Sequence, residues 1–522
     1  MGGIGKTSLA KLAYNDAKVQ TAIFEKKMWV CVTNPFDKCE VAKAIIKEGG
    51  GSSNSINLQG LIKEICELIR GKKFLLVLDD VWTENPNDWE PFKLALKCGD
   101  LGSRILITTR NIRVAKMVES AYTINLGVLS DEDCWLICSQ MASVEKDDEQ
   151  LGELGRVLAK KCKGLPLAAK TLGGLMCNKR SRKDWRDILD SSLWELENVQ
   201  EGLLGPLLLS YYEQPSAIKS CFLYCALFPK DYLFDRDELI YLWMSQGYLG
   251  VNPDIEMENI GEKYFEILVM RSFFQDFEID KYDDKRGRCK MHDIVHDFAQ
   301  LMTSKECFTI DDNKELGTNC KSVRHLRLEL IEKTQFPMSM YNAKNVRTFF
   351  FTTLVKRTVF PLNLFQPLTC LRALTLKSYS LEILPNEVEK LIHLRLLDLS
   401  ENDYIEELPE TMCNLCNLQT LNISECGNIM KLPQGMGKLI KLRHLLTDWD
   451  KPFPKGIGKL SSLRTLNTFV IGGIDDIHEC KLGELKNLNH LKGSLRIEGL
   501  ENVTDVQEAE NAQLKDKKHL RK

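Results

Sequence analysis

The stretch Met1-Gly2-Gly3-Ile4-Gly5-Lys6-Thr7-Ser8-Leu9-Ala10-Lys11-Leu12-Ala13 decides how the front of the chain is read. It matches the end of the phosphate-loop pattern G-x-x-x-x-G-K-[ST]. That pattern needs glycines so that backbone N–H groups can close around phosphate oxygens, a lysine to neutralise phosphate charge, and a hydroxyl to face Mg2+. Gly3, Gly5, Lys6, Thr7 and Ser8 are therefore the candidate phosphate and metal contacts. The apolar residues that follow, at i, i+3 and i+4 spacing, predict a helix whose N-terminus faces the anion. The first glycine of the pattern would stand one residue before Met1, and no apolar strand precedes the loop. Weak or no nucleotide binding by the 522-residue chain is the expectation, with recovery on addition of that strand.

A second motif lies downstream. Lys73-Phe74-Leu75-Leu76-Val77-Leu78-Asp79-Asp80 is an apolar run ending in paired acids, the form in which the first aspartate holds Mg2+. With Met28–Val32 and Arg104–Arg110 it makes a set of continuous apolar runs, as strands covered on both faces should be, so residues 1–126 read as a parallel α/β sheet. Strand-like runs then largely disappear. Segments such as Leu151–Cys162 and Leu239–Tyr248 carry helical spacing. From about residue 320 the unit L-x-x-L-x-L recurs, its first position at Val323, Val346, Leu371, Leu394, Leu418, Leu442, Leu463 and Leu488, with spacings of 21 to 25. That period is the mark of leucine-rich repeats, in which one strand per unit lines a concave face.

Composition sets limits. A chain of 522 residues is too long for one core, and 44% apolar with 27% charged residues is ordinary for a globular protein without a bilayer-spanning run. The N-terminus lacks the order of a secretory signal. The 18 cysteines are scattered through apolar segments, which predicts reduced thiols and a cytoplasmic location. The pair Cys413 and Cys416 has no second ligand pair nearby and reads as part of a repeat. A net charge of −3 gives no signal for direct nucleic-acid binding.

The ordered motifs Phe24–Asp37 (FEKKMWVCVTNPFD), Lys72–Trp82 (KKFLLVLDDVW), Gly102–Arg110 (GSRILITTR), Gly164–Ala169 (GLPLAA), Cys221–Tyr232 (CFLYCALFPKDY) and Met291–Asp293 (MHD) together resemble the NB-ARC switch of plant leucine-rich-repeat intracellular immune receptors. Trp82 and the CFLYCALFP form resemble their coiled-coil class, whose coiled coil would lie upstream, so the chain reads as truncated at both ends. The resemblance implies a multidomain chain: an α/β P-loop domain (1–126), a helical domain (127–205), a winged-helix domain (206–305) and an α/β leucine-rich-repeat solenoid (306–522). It implies ADP/ATP and Mg2+ as cofactors, with Thr7 and Asp79 at the metal and Asp80 as hydrolytic base. It further implies Arg110 reading the terminal phosphate, Pro166 packing on adenine, His292 closing on ADP phosphate at rest and Asp293 orienting that region. The function implied is a switch in plant defence. ADP would hold it closed, sensing of a pathogen effector or guarded host protein by the repeats would permit ATP, and the full-length protein would oligomerise. Hydrolysis would be at most slow and regulatory. The rival readings are a turnover ATPase and a non-signalling interaction protein with a dead nucleotide site.

One expectation comes from the repeats alone. The position after each first leucine is Arg324, Arg347, Arg372, Arg395, Gln419, Arg443, Arg464 and Asn489. With strands about 4.8 Å apart these residues predict a cationic stripe that wants an anionic partner. The acid-rich segment Asp276–Asp284 is the expected partner within the chain, giving a contact between switch and repeats.

Overall fold

A computed structural model describes residues 2–21, 24–32, 36–53, 55, 57–144, 149–177, 179, 181–195, 204–250, 255–279, 287–311, 320–330, 338–353, 361, 363–377, 381–474 and 476–521. The first domain is built on three parallel strands in the order Lys26–Cys31, Phe74–Asp79, Arg104–Ile107. Every residue of the central strand is buried, which is why its sequence is an unbroken apolar run. Side-chain caps start the covering helices: Asp37 accepts from the N–H groups of Cys39 and Glu40 ahead of Lys38–Glu48, and Asn57 accepts from Gly60 ahead of Leu58–Ile69. Among the described residues the outer edge of Arg104–Ile107 pairs with no strand. It borders a groove of about 1150 Å3 lined by Leu9, Ala13, Ile105, Ile107, Tyr122 and Ile124.

One cysteine expectation is corrected here. The helices Leu58–Ile69 and Pro86–Leu96 pack side by side, which brings Cys66 and Cys98 to a Cα separation of 5.5 Å, and the two form a disulfide. The other cysteines with described side chains are free; Cys413 is buried while Cys416 is exposed, so the two do not converge. Among the described residues no group of three or more His, Cys, Asp and Glu side chains converges as a metal site would, and no helix is long and apolar enough to cross a membrane.

Helices Asp131–Ala142, Glu149–Lys160, Pro166–Met176 and Arg182–Leu189 follow, then Leu204–Tyr212. The winged-helix part comprises helices Ser216–Tyr224, Arg236–Gln246, Met257–Met270 and Asp293–Met302 around an antiparallel sheet ordered Phe234–Asp235, Gly287–Lys290, Gln275–Ile279. Apolar packing does not break at residue 205: a single cluster runs from Cys134 to Ala299 and takes in Phe350, Ala373 and Leu396 of the repeats.

The repeats form a seven-stranded parallel sheet in chain order, from Cys307–Ile310 to His444–Leu446, with a further pair at Thr468–Val470 and Arg496–Glu498. The first-leucine positions from Val346 to Leu488 are fully buried, each packed against its neighbouring units. On the far side, Pro385, Pro409 and Pro433, at φ of −61°, −68° and −58°, start the short 3-10 turns Asn386–Lys390, Glu410–Asn414 and Gln434–Lys438. These turns bury Val388, Met412 and Met436. The buried Asn402 amide donates to the carbonyls of Leu376 and Leu399 at 2.8 and 2.7 Å, tying adjacent units where the backbone leaves the strand.

Candidate functional site

The phosphate loop turns through left-handed backbone at Gly3 (φ 69°) and Gly5 (φ 93°), then enters the helix Lys6–Asn15, where Leu9 N–H bonds the Gly5 carbonyl at 2.9 Å. Gly2 is constrained differently, since any larger residue there would force the Ile294 side chain to shift. A Cβ there would stand 2.3 Å from Ile294 Cδ1, because the winged-helix part packs directly on the loop. The helical domain touches it too: Leu167 N–H donates to the Gly3 carbonyl at 3.3 Å, and Pro166 Cγ lies 3.8 Å from where a Gly5 Cβ would be. Ser8 occupies the exposed first turn of the helix.

Thr7 Oγ1 donates to Asp79 Oδ1 at 3.0 Å, and Thr108 Oγ1 donates to the same oxygen. Burial pushes the Asp79 carboxyl above its ordinary pKa, while the Thr108 and Thr7 hydroxyls pull it back. Asp80 adopts left-handed backbone (φ 56°) at the strand end, with its N–H donating to Thr108 Oγ1 at 2.8 Å. Its Oδ2 accepts from Trp82 Nε1 at 2.9 Å and from Arg110 Nη2 at 3.4 Å. The Arg110 guanidinium lies over the Trp82 ring, 4.7 Å from its centre, and also bonds Asp293 of the winged-helix part.

Asp293 and Asp80 face one another. Burial and the hydrogen bond with Asp80, reinforced by Asp231, raise Asp293 to about 7, with Arg110 opposing. Against the burial of its own carboxyl, Asp80 is held low by Asp293, Arg110, Trp82 and Lys6. His292 caps the helix Asp293–Met302, its Nδ1 accepting from Ile294 N–H at 3.2 Å. Burial and the Arg110 charge depress it to about 4, so it is neutral at pH 7. Lys6 is lowered by burial and by Arg110, with Asp80, Asp79 and Asp293 working against this.

Residues predicted from sequence as one site thus come together from three domains: Gly3, Gly5, Lys6, Thr7, Asp79, Asp80 and Arg110 from the first, Pro166 from the second, and His292 and Asp293 from the third. Thr108, Ile294 and Asp231 were not singled out. Thr108 had a signal, since period-two spacing from Leu106 puts it on one strand face beside Asp79; Ile294 and Asp231 had none. The donor set suits a nucleoside di- or triphosphate with Mg2+: a glycine turn at a helix N-terminus, a lysine, and hard oxygens from Thr7 and Asp79 side by side.

The expected contact of the acid-rich segment with the arginine stripe lies largely outside the described residues. Asp276 pairs with Lys11 of the first domain at 2.7 Å, and 280–286 lie outside the described residues. At its far end the stripe meets the helix Met257–Met270 at its start. Glu258 takes Arg443 in two bonds of 2.7 Å and His444 Nε2 at 3.0 Å, and Glu256 takes Arg464 at 2.9 Å and also Lys492.

Comparison with known proteins follows this architecture. Residues 1–148 match the model of the NB-ARC domain, 227–299 that of the disease resistance protein winged helix domain, and 345–520 that of the leucine-rich repeat region. The putative disease resistance protein RGA1 of Solanum bulbocastanum is 38% identical over 525 residues, covering all of this chain and 50% of that protein. Disease resistance protein RGA2 of the same species is 41% identical over 308 residues, 58% of this chain and 31% of that one. The putative disease resistance RPP13-like protein 1 of Arabidopsis thaliana is 34% identical over 539 residues, again all of this chain and 50% of that protein. The chain spans half or less of the length of these relatives.

Proposed function

This chain belongs to the plant NB-ARC, leucine-rich-repeat disease resistance proteins, and on that premise we propose that it carries the nucleotide switch and recognition surface of an intracellular immune receptor. The observation that supports this reading most is the convergence of three domains on one loop: Gly3 with Leu167, Gly2 with Ile294, and Arg110 with Asp293. A ligand moves a conformational equilibrium only through differential affinity for its states, so contacts lent by a second and third domain are what a switch requires. In this reading Lys6 and the turn through Gly3, Gly5 and Ser8 bind phosphate, and Thr7 and Asp79 hold Mg2+. Pro166 packs on the base, His292 closes on the ADP phosphate, and Asp80 orients water for slow hydrolysis. Arg110 has two claimants. At rest it neutralises Asp293 and Asp80; drawn to a terminal phosphate, it would leave two facing carboxylates uncompensated and favour opening. The repeats would sense an effector or guarded host protein, and the opened full-length receptor would oligomerise.

Fluorescent ADP and a non-hydrolysable ATP analogue, titrated into the chain and its variants, test the proposal. Asp293→Val should shift the ATP-to-ADP affinity ratio by about tenfold or more, the scale of a typical coupling of 1–3 kcal/mol. Lys6→Arg should weaken both ligands. In a full-length receptor Asp293→Val should signal without a pathogen. An unchanged ratio and a silent receptor of normal abundance would remove the switch assignment. The reading as a repeat-only interaction protein is favoured by one feature, the edge of Arg104–Ile107, which pairs with no strand among the described residues and leaves Ile105 46% exposed. It requires that the 522-residue chain bind neither nucleotide even when the loop residues are intact.

A further inference from the structure

From Arg324 to Arg464 the residue after each first leucine forms one continuous ladder on the concave sheet. Each N–H bonds the preceding carbonyl, from Arg347 on Arg324 at 2.7 Å, through Arg372, Arg395, Gln419 and Arg443, to Arg464 on Arg443 at 2.6 Å. The ladder is neutralised unevenly. At one end Arg443 and Arg464 meet Glu258 and Glu256. In the middle, Arg372 and Arg395 with Lys441 line a cavity of about 430 Å3, closed on the winged-helix side by Gln246, Gly247 and Gly250. Among the described residues no carboxylate lines it. Arg372 Nη1 donates to the Gln246 carbonyl at 2.7 Å and Lys441 to Asn417 Oδ1 at 2.7 Å; Arg395 has no ion pair with any described residue.

What partly balances this charge is the C-terminus of the helix Arg236–Gln246. Gly247 ends that helix at φ 78°, and a Cβ on it would stand 3.2 Å from Arg395 Nη1, so glycine admits the guanidinium to the helix end. Such an end carries roughly half an elementary negative charge, set against three full positive ones. The Gln419 side chain has a buried amide oxygen without a partner, and a half-turn of that amide would point N–H groups at the same position. Burial and the neighbouring Arg347 and Arg395 charges lower the Arg372 pKa, as an uncompensated cluster should.

We propose that this cavity binds a small, multiply charged phosphate compound, held by Arg372, Arg395 and Lys441 with the Gln419 amide, and that the bound anion fastens the winged-helix part to the repeats. The site is separate from the phosphate loop and does not depend on the switch reading. The chain carrying Lys6→Ala, which removes the phosphate-loop lysine, is titrated calorimetrically with inorganic tripolyphosphate at 0.15 M salt and its thermal midpoint followed. Saturable binding and a raised midpoint are expected. Arg395→Gln should weaken binding by about tenfold, as loss of one charge-assisted bond does, and shrink the midpoint shift accordingly. Lys441→Gln, on the exposed rim, should weaken it by a smaller factor and decides the matter if Arg395→Gln does not fold. Arg324→Gln, on the same ladder but outside the cavity, should leave binding within about twofold. Absence of saturable binding, or equal losses in all three variants, would mean general attraction of anions to a basic face and would overturn the site.

Discussion

Two charged faces join the winged-helix part to the rest of the chain, and their chemistry is opposed. Toward the phosphate loop, Asp293 meets Asp80 and Asp231 with Arg110 as shared counter-charge, so like charges are buried together and a proton is retained to about 7. Toward the repeats, Glu258 meets Arg443 and a neutral His444, whose Nε2–H donates to the carboxylate while its Nδ1 accepts from Thr465 Oγ1 at 3.0 Å. Burial pushes His444 down, keeping it in that neutral form, and His444 and Arg443 hold Glu258 well below the usual carboxylate range despite its own burial. The first face is frustrated, its like charges sharing one counter-charge and a retained proton. The second is complementary and holds at any ordinary pH.

The largest effect should come from breaking the complementary face. Glu258→Ala leaves the guanidinium of Arg443, 14% exposed, with no carboxylate, and removing one partner of a buried pair costs about 3–5 kcal/mol. Denaturant unfolding of the whole chain should show that loss. Hydrogen exchange should quicken in Arg236–Gln246 and at His444–Leu446. The exchanged pair Glu258→Arg with Arg443→Glu should recover part of it. A loss below about 0.5 kcal/mol, the level of a surface change, would mean the bonds at this face contribute little.

The frustrated face should respond to pH, and the sign follows from two shifts. Asp293 is raised from 3.8 to about 7, so its stabilising contribution is complete below 3.8 and lost as pH rises through 7. His292 is lowered from 6.5 to about 4, so its contribution is complete above 6.5 and lost as pH falls toward 4. Between 4 and 6.5 the two oppose each other; above 6.5 only Asp293 still titrates. Asp80, held below its ordinary 3.8, acts only in acid. The nucleotide-free contact should therefore loosen between pH 6.5 and 8 by on the order of 1 kcal/mol, read as faster exchange in Asp293–Met302. Asp293→Asn should flatten that dependence. A slope that survives this change belongs to another group.

The two faces also differ in how far they could be read from sequence. Lys6, Asp79, Arg110 and His292 each sit in a motif whose chemistry restricts residue type, and the leucine spacing fixes a solenoid because each unit can bury its leucines only on the next. The arginine ladder was legible for the same reason, since parallel register carries one position across all strands. Its partner was not. Glu256 and Glu258 read as acids at a helix start, where they would suit the helix dipole of any protein, while Asp276–Asp284 looked more anionic and its Asp276 pairs with Lys11. Thr108 was overlooked because a threonine in an apolar strand is ordinary until its hydroxyl is seen on Asp79. The Cys66–Cys98 pair depends on how two helices pack, which no spacing of 32 residues reveals.

The smallest effect should come from Glu256, at the edge of the complementary face. It serves Arg464 and Lys492 together, yet its side chain is 30% exposed and that of Lys492 35%, so water and salt reach the group. Exposed pairs typically contribute about 0.2–1 kcal/mol, and charges in solvent contact are screened over about 8 Å at physiological ionic strength. Glu256→Gln keeps the shape and a hydrogen-bonding oxygen, so only the charge is lost. The variant should therefore lose no more than about 1 kcal/mol at low salt, with the difference from the parent chain shrinking toward zero near 1 M, where the screening length is about 3 Å. Glu258→Ala, measured alongside, should keep most of its larger loss at that salt, because Arg443 and Glu258 are both 14% exposed. If the two variants fade together as salt rises, Glu258 is screened like a surface charge, and the distinction drawn between the buried part of this face and its rim fails.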